Sequence, residues 1–505
     1  MKLIDDFLDR ITMYRLLLYF LIGLIALATV FSAFKVINYD PIGIILSTLF
    51  LVFLSGFVND VFSKVFNAPK NVESAYITAL ILALIINPAK SIHDFIFLAF
   101  AATLAMASKY ILAVDKKHIF NPAAIAIVLT AYGFGGAASW WVGDLALMPV
   151  VFIGGYLIVR KIRREDLAFS FVLTTIFLSI FFTILAGGNV ESILSQDLLH
   201  SSLWFFAFVM LTEPLTTPPT GDLRTLYGIL VGALFTPEFH LGTIYFSPEL
   251  ALVVGNLFSY LISPKDKLLL YLKQKIKLSD DTYDFIFQLP KKITFLPGQY
   301  MEWTLEHAHP DSRGNRRYFT IASSPTEQNL RIGVKFYPQS SSYKKKLLEL
   351  TDSDPIVATQ TAGDFILKDN PQAKYVFIAG GIGVTPFRSI LKYLIDRGQR
   401  KDIVVLFSNK KQSEIVYRDV FDDAYRQLGI RTIYTLTDTS SIPEDWDGRK
   451  GRIDGKLVME EIPDFKERYF YLSGPHRMVT GFENSLKSIG IGEDKIVKDF
   501  FPGFV

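Results

Sequence analysis

The sequence predicts a multi-domain chain: a bundle of about ten transmembrane helices, then an antiparallel β-barrel, then an α/β domain on a parallel sheet. Three observations predict it. Apolar residues, 50% of the 505 overall, crowd the stretch up to about Leu261 and thin out afterwards, separating a lipid-facing part from a water-facing one. From about Lys267 apolar and polar residues alternate, as in Thr282-Tyr-Asp-Phe-Ile-Phe-Gln288 and Leu330-Arg-Ile-Gly-Val-Lys-Phe336, the mark of strands with one face buried. After Lys374 the short apolar runs Val376-Phe-Ile-Ala379, Ile403-Val-Val-Leu-Phe407 and Tyr469-Phe-Tyr-Leu472 are separated by helical stretches, the mark of a parallel sheet covered on both faces. These changes of texture set domain limits at 1–265, 266–370 and 371–505.

A helix crossing a bilayer needs about 20 largely apolar residues. Such stretches begin near Tyr14, Ile42, Ser74, Ile92, Ile119, Val142, Leu167, Leu199, Leu223 and Pro248. The first, Met13 to Val36, is longer than the apolar core of a signal peptide and has no convincing cleavage site, so it reads as retained. With the N-terminus inside, the inward loops carry Lys64 and Lys70, then Lys116 and Lys117, then Arg160, Lys161, Arg163 and Arg164, then Arg224, then Lys265 and Lys267. The outward segments 132–141, 186–202 and 236–245 contain no Lys or Arg. The positive-inside rule then places both termini and the soluble half in the cytoplasm, on a multi-pass protein of the cell's inner membrane.

Proline breaks fall at Asn87-Pro88, Asn121-Pro122 and Thr212-Glu213-Pro214. A broken helix frees backbone groups, which membrane depth tolerates only where protein, water or a ligand satisfies them. Glu213 follows the apolar run Leu203 to Leu211, where a carboxylate is costly unless paired or wet. Asn121, Pro122, Thr212, Glu213 and Pro214 are therefore the candidate membrane site, and the plain alternative is ordinary helix ends at the membrane surface. A formal charge of +3 is too small to argue for nucleic acid, which leaves lipid as the predicted partner. Cysteine is absent, so disulfides, thiolate-held iron–sulfur clusters and thiol nucleophiles are excluded. Among the seven histidines, His93, His118, His200 and His240 fall near span ends rather than in pairs within spans, so no metal or haem site is predicted.

In the soluble half, Gly380-Gly-Ile-Gly-Val-Thr-Pro386 follows a strand and opens a helix, which lets backbone approach a pyrophosphate at a helix N-terminus. Arg317-Tyr-Phe-Thr320 lies in a strand, with Arg317 and Phe319 on one face and Tyr318 and Thr320 on the other. Ser340-Ser-Ser-Tyr-Lys344 precedes a Lys/Leu helix and offers hydroxyls and N–H groups to a phosphate. Taken singly, an exposed edge arginine and a plain helix cap account for the last two.

Two family resemblances follow from these phrases. Lys70-Asn-Val-Glu-Ser-Ala75, Phe120-Asn-Pro-Ala-Ala124, Leu211-Thr-Glu-Pro-Leu-Thr216 and Arg224-Thr-Leu-Tyr-Gly228 resemble the membrane flavin subunits of the sodium-pumping NADH:quinone reductase and the Rnf complex, over about residues 70–262. That likeness implies a flavin-holding bundle that passes electrons, with cation movement as an open accompaniment. The family's covalent FMN needs a Ser-x-Ala-Thr loop, which 128–159 lacks; a non-covalent flavin, FMN or riboflavin, or a quinone stays open.

Over about 267–505 the chain resembles the ferredoxin–NADP reductase superfamily. Pro297-Gly-Gln-Tyr300 is similar to its barrel turn, Gly363-Asp-Phe365 to its connector, Ser473-Gly-Pro475 to its Cys-Gly-Pro turn and Phe501-Pro-Gly-Phe504 to its terminal aromatic segment. By that likeness the barrel binds FAD and the α/β domain NAD(P)H. Arg317 would neutralise the FAD pyrophosphate, Ser341 and Ser342 would help hold the phosphates, and Thr320 would hydrogen-bond near flavin N5. Thr385 and Gly474 would line the nicotinamide side. Tyr318, Phe319, Gly380, Gly381, Gly383, Pro386, Pro475 and Phe504 complete the implied cofactor-binding set, and Thr320 with Ser473 forms the implied catalytic pair. Phe319 stands where the family has tyrosine, with Tyr318 beside it as a substitute hydroxyl, and Ser473 where it has cysteine.

The resulting expectation is a membrane-bound flavoprotein oxidoreductase that takes hydride from NAD(P)H onto FAD and passes electrons to a membrane flavin or quinone. Competing readings are an ion transporter with a redox-sensing nucleotide domain, and a transmembrane metal reductase. Lys410 and Lys411 after the second parallel strand suit a 2′-phosphate, whereas the family likeness leans to NADH. Terminal acceptor, coupling ion and assembly stay open.

Overall fold

The computed structural model describes residues 8, 11–66, 72–114, 117–242, 244–263, 267–307, 310–311 and 314–499. Phe504, Lys70, Lys116 and Lys265 from the sequence reading lie outside the described residues. The chain divides into two compact units, one being Ile11–Lys265 and the other carrying Asp266–Val505.

The first unit is helical: α1 Met13–Ala33, α2 Pro41–Val65, α3 Val72–Ile85, α4 Ile92–Ile111, α5 Pro122–Phe134, α6 Met148–Ile162, α7 Glu165–Leu185, α8 Val190–Leu199, α9 Leu203–Phe205, α10 Gly221–Phe235 and α11 Pro248–Ile262. Two small hairpins, β1 Ala113–Val114 with β2 Lys117–His118 and β3 His240–Leu241 with β4 Ile244–Tyr245, interrupt them. Polar caps followed by proline start several helices. Asn121 accepts the Ala124 N–H at 3.1 Å ahead of Pro122, and Ser247 accepts the Leu250 N–H at 3.2 Å ahead of Pro248. Helices start close to most of the positions expected from hydropathy, but among the described residues only α1, α2, α4 and α7 are long and apolar enough to cross a bilayer. The pair Val190–Leu199 and Leu203–Met210, bent by 52°, would make a fifth. The helices α3 and α11, of 14 and 15 residues, rise only about 21–23 Å. The reason is local: α3 stops ahead of Asn87-Pro88, and α9 passes into a π-helix, Phe206–Met210, that ends at Thr212-Glu213-Pro214.

The helices α7 and α10 pack through a small-residue seam, Gly228-Ile-Leu-Val-Gly232. A Cβ at Gly228 would lie 2.8 Å from the Leu167 carbonyl oxygen, and one at Gly232 would lie 2.7 Å from that of Phe171. Close backbone approach of this kind is how helices associate where water supplies no hydrophobic drive.

Among the described residues, the second unit holds two six-stranded sheets. The first is antiparallel, built from β5 Lys267–Lys277, β6 Thr282–Gln288, β7 Tyr300–Thr304, β8 Arg316–Thr320, β9 Asn329–Lys335 and β10 Pro355–Ala362, in the order β8-β7-β10-β5-β6-β9. Its edge strands are bridged just past β8 by the Ala322 N–H on the Arg331 carbonyl at 2.9 Å. Alternation puts Leu268, Leu270, Phe285, Phe287, Leu330 and Ile332 in one core with the fully buried Trp303 and Tyr343. Helix α12, Ser342–Glu349, supplies Tyr343 and Leu347 to that core.

The second sheet is wholly parallel: β11 Lys374–Gly380, β12 Asp402–Asn409, β13 Arg431–Leu436, β14 Arg449–Lys450, β15 Tyr469–Ser473 and β16 Ile496–Asp499, ordered β14-β13-β12-β11-β15-β16. Helices α13 Thr385–Arg397, α14 Arg418–Leu428, α15 Gly455–Glu461 and α16 His476–Ser488 alternate with the strands. Because β11 is followed on one side by β12 and on the other by β15, the direction of winding reverses between β11 and β15. In open parallel sheets, ligands bind outside the carboxyl ends of the strands at that reversal.

Candidate functional site

At the reversal, two turns abut backbone to backbone. The loop after β11 passes through Gly381, at φ +53°, into a 3-10 turn, Gly381–Val384, and then α13. The turn after β15 is Ser473-Gly474-Pro475. A Cβ on Gly383 would sit 2.5 Å from Gly474 Cα and 2.6 Å from its nitrogen, so only glycine permits the two loops to meet. A Cβ on Gly380 would meet Met478 Sδ at 2.2 Å. The buried Thr385 returns its hydroxyl to the Ile382 carbonyl at 3.2 Å and Pro386 occupies the first turn of α13, so the helix N-terminus opens toward the crevice.

The end of β8 reaches the same place. Thr320 ends β8, is buried, and donates to Asp499 Oδ2 at 3.3 Å. Asp499 ends β16 and pairs in register with Ser473, which pairs in turn with Ala379 of β11. The two residues of the implied catalytic pair are thus brought to one edge through a carboxylate that the sequence reading missed. It lies 179 positions from Thr320, and no local pattern announces it.

A second cluster surrounds Arg317. This buried guanidinium donates to the Gly314 carbonyl at 3.2 Å and lies 5.0 Å over the Tyr343 ring. Burial raises the Tyr343 hydroxyl, against the pull of Arg317. Ser341 caps α12 by accepting the Lys344 N–H at 3.3 Å. The Ser342 N–H donates to Asp311 Oδ2 at 3.0 Å, and Asp311 Oδ1 lies 3.9 Å from Arg317 Nη2. The Ser342 hydroxyl is held by His307 Nε2 at 3.0 Å and by the Asp311 N–H at 2.9 Å. A carboxylate therefore stands in for an anion between a guanidinium and a helix N-terminus, the donor set that suits a diphosphate. Phe319 shares the Arg317 face, its ring 6.1 Å from that of Tyr343. Tyr318, on the opposite face, donates to Glu302 Oε2 at 2.9 Å and faces Tyr300, so its hydroxyl is committed away from Phe319.

The barrel turn and the connector interlock as well. Gly298, at φ +98°, lies against the Phe365 carbonyl, 2.0 Å from where its Cβ would fall. Gln299 donates to the Gly363 carbonyl at 3.3 Å. In the parallel sheet, Asn409 closes β12 as a buried amide with no hydrogen-bond partner among the described residues on either Nδ2 or Oδ1. A buried amide of this kind calls for a ligand, and it stands at the strand end where a dinucleotide's ribose is read.

In the helical unit, two of the predicted residues, Asn121 and Glu213, converge. Asn121 Nδ2 donates to Glu213 Oε2 at 2.9 Å, while His118 Nε2 lies 3.4 Å from Oε1. The Asn121 N–H donates to Asn256 Oδ1 at 2.7 Å, and Asn256 Nδ2 to the Tyr227 hydroxyl at 2.9 Å. Thr217, bonded by Arg164, donates to the Glu213 carbonyl at 3.1 Å, and Thr212 closes on the Phe208 carbonyl at 2.9 Å. Pro122 opens α5 as an ordinary first-turn proline, and Pro214 lies in the turn that follows the π-helix. Asn256, fully buried, is marked by no break in the sequence, whereas the equally buried Tyr227 lies within the Arg224–Gly228 phrase without being singled out there.

Residues 142–265 match the NQR2, RnfD, RnfE family, and residues 377–484 match the oxidoreductase NAD-binding domain. The chain is a fusion of a segment similar to the NQR2, RnfD, RnfE family and a segment similar to the oxidoreductase NAD-binding domain. The glycine betaine monooxygenase reductase subunit of Pseudomonas aeruginosa is 24% identical over 237 residues, covering 46% of this chain and 64% of that protein. The stachydrine N-demethylase reductase subunit of Rhizobium meliloti is 29% identical over 221 residues, covering 43% and 62%. The fusion thus spans a little under two thirds of the length of these relatives. The cytochrome b5 reductase domain of Ulva prolifera nitrate reductase aligns with a TM-score of 0.41 at 20% identity, over 47% of the fusion and 98% of that chain.

Proposed function

We propose that the fusion is a membrane-bound NAD(P)H-oxidising flavoprotein that delivers electrons to a membrane flavin or quinone, with its termini and reductase unit in the cytoplasm. The observation that carries this reading is the meeting of Gly383 and Gly474 at the sheet reversal, beside Thr320, Asp499 and Ser473. FAD, when bound, accepts a hydride from NAD(P)H and releases its electrons singly. Arg317, Ser341 and Ser342 would hold its diphosphate, and the Gly380–Gly383 loop with Asn409 would hold the nicotinamide dinucleotide. Thr320 and Ser473 then orient the two reacting faces, and the Asp499 carboxylate fixes the Thr320 hydroxyl. The NQR2/RnfD/RnfE-type segment gives the electrons a destination in the membrane. The ring around Glu213 is the candidate for a second, non-covalent flavin, for a quinone headgroup, or for coupling to a cation.

The test is flavin extraction from purified full-length protein, followed by anaerobic titration with NADH and NADPH. Bound FAD that bleaches with one equivalent of either nucleotide supports the reading, and absence of FAD or of bleaching sinks it. A second flavin released alongside FAD would assign the membrane acceptor.

Two further outcomes are expected. Asp311→Asn removes the carboxylate that competes with a diphosphate for Arg317 and the Ser342 N–H. FAD should bind several-fold tighter, on the order of 1 kcal/mol, as read by fluorescence titration of flavin-stripped protein; unchanged or weaker binding would show that Asp311 is not a competitor. In membrane vesicles, Glu213→Gln keeps an acceptor for Asn121 but removes the charge. Cation uptake driven by NAD(P)H should fall at least tenfold while NAD(P)H oxidation stays within twofold, and equal loss of both would remove Glu213 from ion coupling.

A further inference from the structure

Beneath the nicotinamide loop lies a set of buried polar contacts that the site described above does not use. Arg388, 4% exposed, donates to the Ala322 carbonyl at 2.8 Å and to Glu327 Oε1 at 2.9 Å. Ser389, fully buried, donates to the Ser323 carbonyl at 2.7 Å. Tyr417 donates to Asp284 Oδ1 at 3.1 Å, and Arg331 holds the other oxygen at 3.1 Å. Asp284, Ala322, Ser323, Glu327 and Arg331 belong to the antiparallel sheet and the loop after β8. Arg388, Ser389 and Tyr417 belong to the nucleotide domain.

The positions of these bonds along the chain matter more than their number. Ala322 and Ser323 follow Thr320 by two and three residues, and Arg388 and Ser389 follow Thr385 by three and four. The segment carrying the flavin-side hydroxyl is thereby tied, within one helical turn, to the segment carrying the nicotinamide loop. Gly333 on β9 completes the joint: a Cβ there would lie 2.6 Å from the Tyr417 hydroxyl, 2.9 Å from Thr385 Cγ2 and 3.0 Å from Ile382 Cδ1. Tyr417 itself sits at φ +57°, a left-handed conformation that a non-glycine residue seldom adopts. Its ring lies 5.6 Å from the Arg388 guanidinium, so the surrounding contacts hold it there.

We propose that Arg388, Ser389, Tyr417 and Asp284 are positioning residues for hydride transfer: they fix how closely the nicotinamide loop approaches the flavin-side strand. The proposal rests on the reductase reading of this unit. Misplacement of reacting atoms by about 1 Å costs on the order of a hundredfold in rate, whereas binding of each cofactor is governed by contacts elsewhere. A loosened joint should therefore slow transfer without releasing either ligand. Burial raises the Asp284 carboxyl, with Arg331 and Arg388 opposing it, so loss of the Tyr417 hydroxyl is felt by a group that water does not reach.

Full-length protein loaded with FAD tests this by anaerobic stopped-flow, which separates the limiting rate of flavin reduction from the apparent Kd for NADH. Tyr417→Phe and Ser389→Ala each delete one hydroxyl. The expected result is a limiting rate at least tenfold lower, with FAD content, thermal midpoint and apparent Kd close to those of the parent. Asp284→Asn, which still accepts from Tyr417, should retain several-fold more of the rate than Asp284→Leu. Limiting rates within twofold of the parent in both hydroxyl deletions would overturn the proposal. So would losses that track FAD content, with Asp284→Asn no better than Asp284→Leu, because the joint would then be structural only. A parent protein that binds no FAD, or whose FAD no NAD(P)H reduces, would overturn the reductase reading and this proposal together.

Discussion

Replacing Gly383 by alanine is expected to lower the rate of flavin reduction by NAD(P)H by about 100-fold or more, the penalty for shifting reacting groups by roughly 1 Å. The added methyl would fall 2.5 Å from Gly474 Cα and 2.6 Å from Ser473 C. Those are backbone atoms of the opposing turn, which cannot swing aside as a side chain can. Overpacking of this kind costs about 1–3 kcal/mol, and the loops relieve it by parting. Gly398, at φ +61° in the C-cap of α13 with open space around it, is the control. Gly398→Ala should cost comparable stability through its left-handed backbone while leaving the rate within a fewfold. Thermal unfolding and anaerobic stopped-flow on both variants decide the matter. Equal rates in Gly383→Ala and its parent would show that the meeting of the two turns does not form the nicotinamide site.

Arg317→Met should raise the Kd for FAD by about two to four orders of magnitude, because a buried charge-assisted contact is worth about 3–5 kcal/mol when one partner is removed. Methionine fills the volume over the Tyr343 ring, which limits the cavity cost, and the antiparallel core around Trp303 and Phe287 should stay folded. Since the Asp311 carboxylate would then face the diphosphate without a counter-charge, Asp311→Asn should restore part of the affinity in the Arg317→Met background. Flavin titration of the two single variants and the double variant measures this coupling. Additive effects would mean that Arg317 and Asp311 do not address the same anion.

The two halves, the strand and helix periodicities and the glycine loop were legible in the sequence because each is a local property. Alternation reports which face of β6 or β9 is buried, and the Asn121-Pro122 pair reports where α5 starts. Span number was less legible, since hydropathy registers apolar stretches without registering that a 14-residue helix stops at a polar break, or that Phe206–Met210 takes π geometry ahead of Glu213.

What the sequence by itself determined, then, is composition-driven: a lipid-facing unit, an alternating sheet, a parallel sheet, and the residue types at Arg317, Thr320, Gly383 and Glu213. What only the tertiary structure decided is which distant groups meet. Asp499 bonds Thr320, Tyr417 bonds Asp284 from 133 positions away, Asp311 comes to rest between Arg317 and the Ser342 N–H, and Asn256 joins Tyr227 to Asn121. Hydrophobic periodicity specifies which face of an element is buried, but a buried polar group takes its partner from whatever element packs against that face. That choice is made by packing, so it becomes visible only when the elements are assembled.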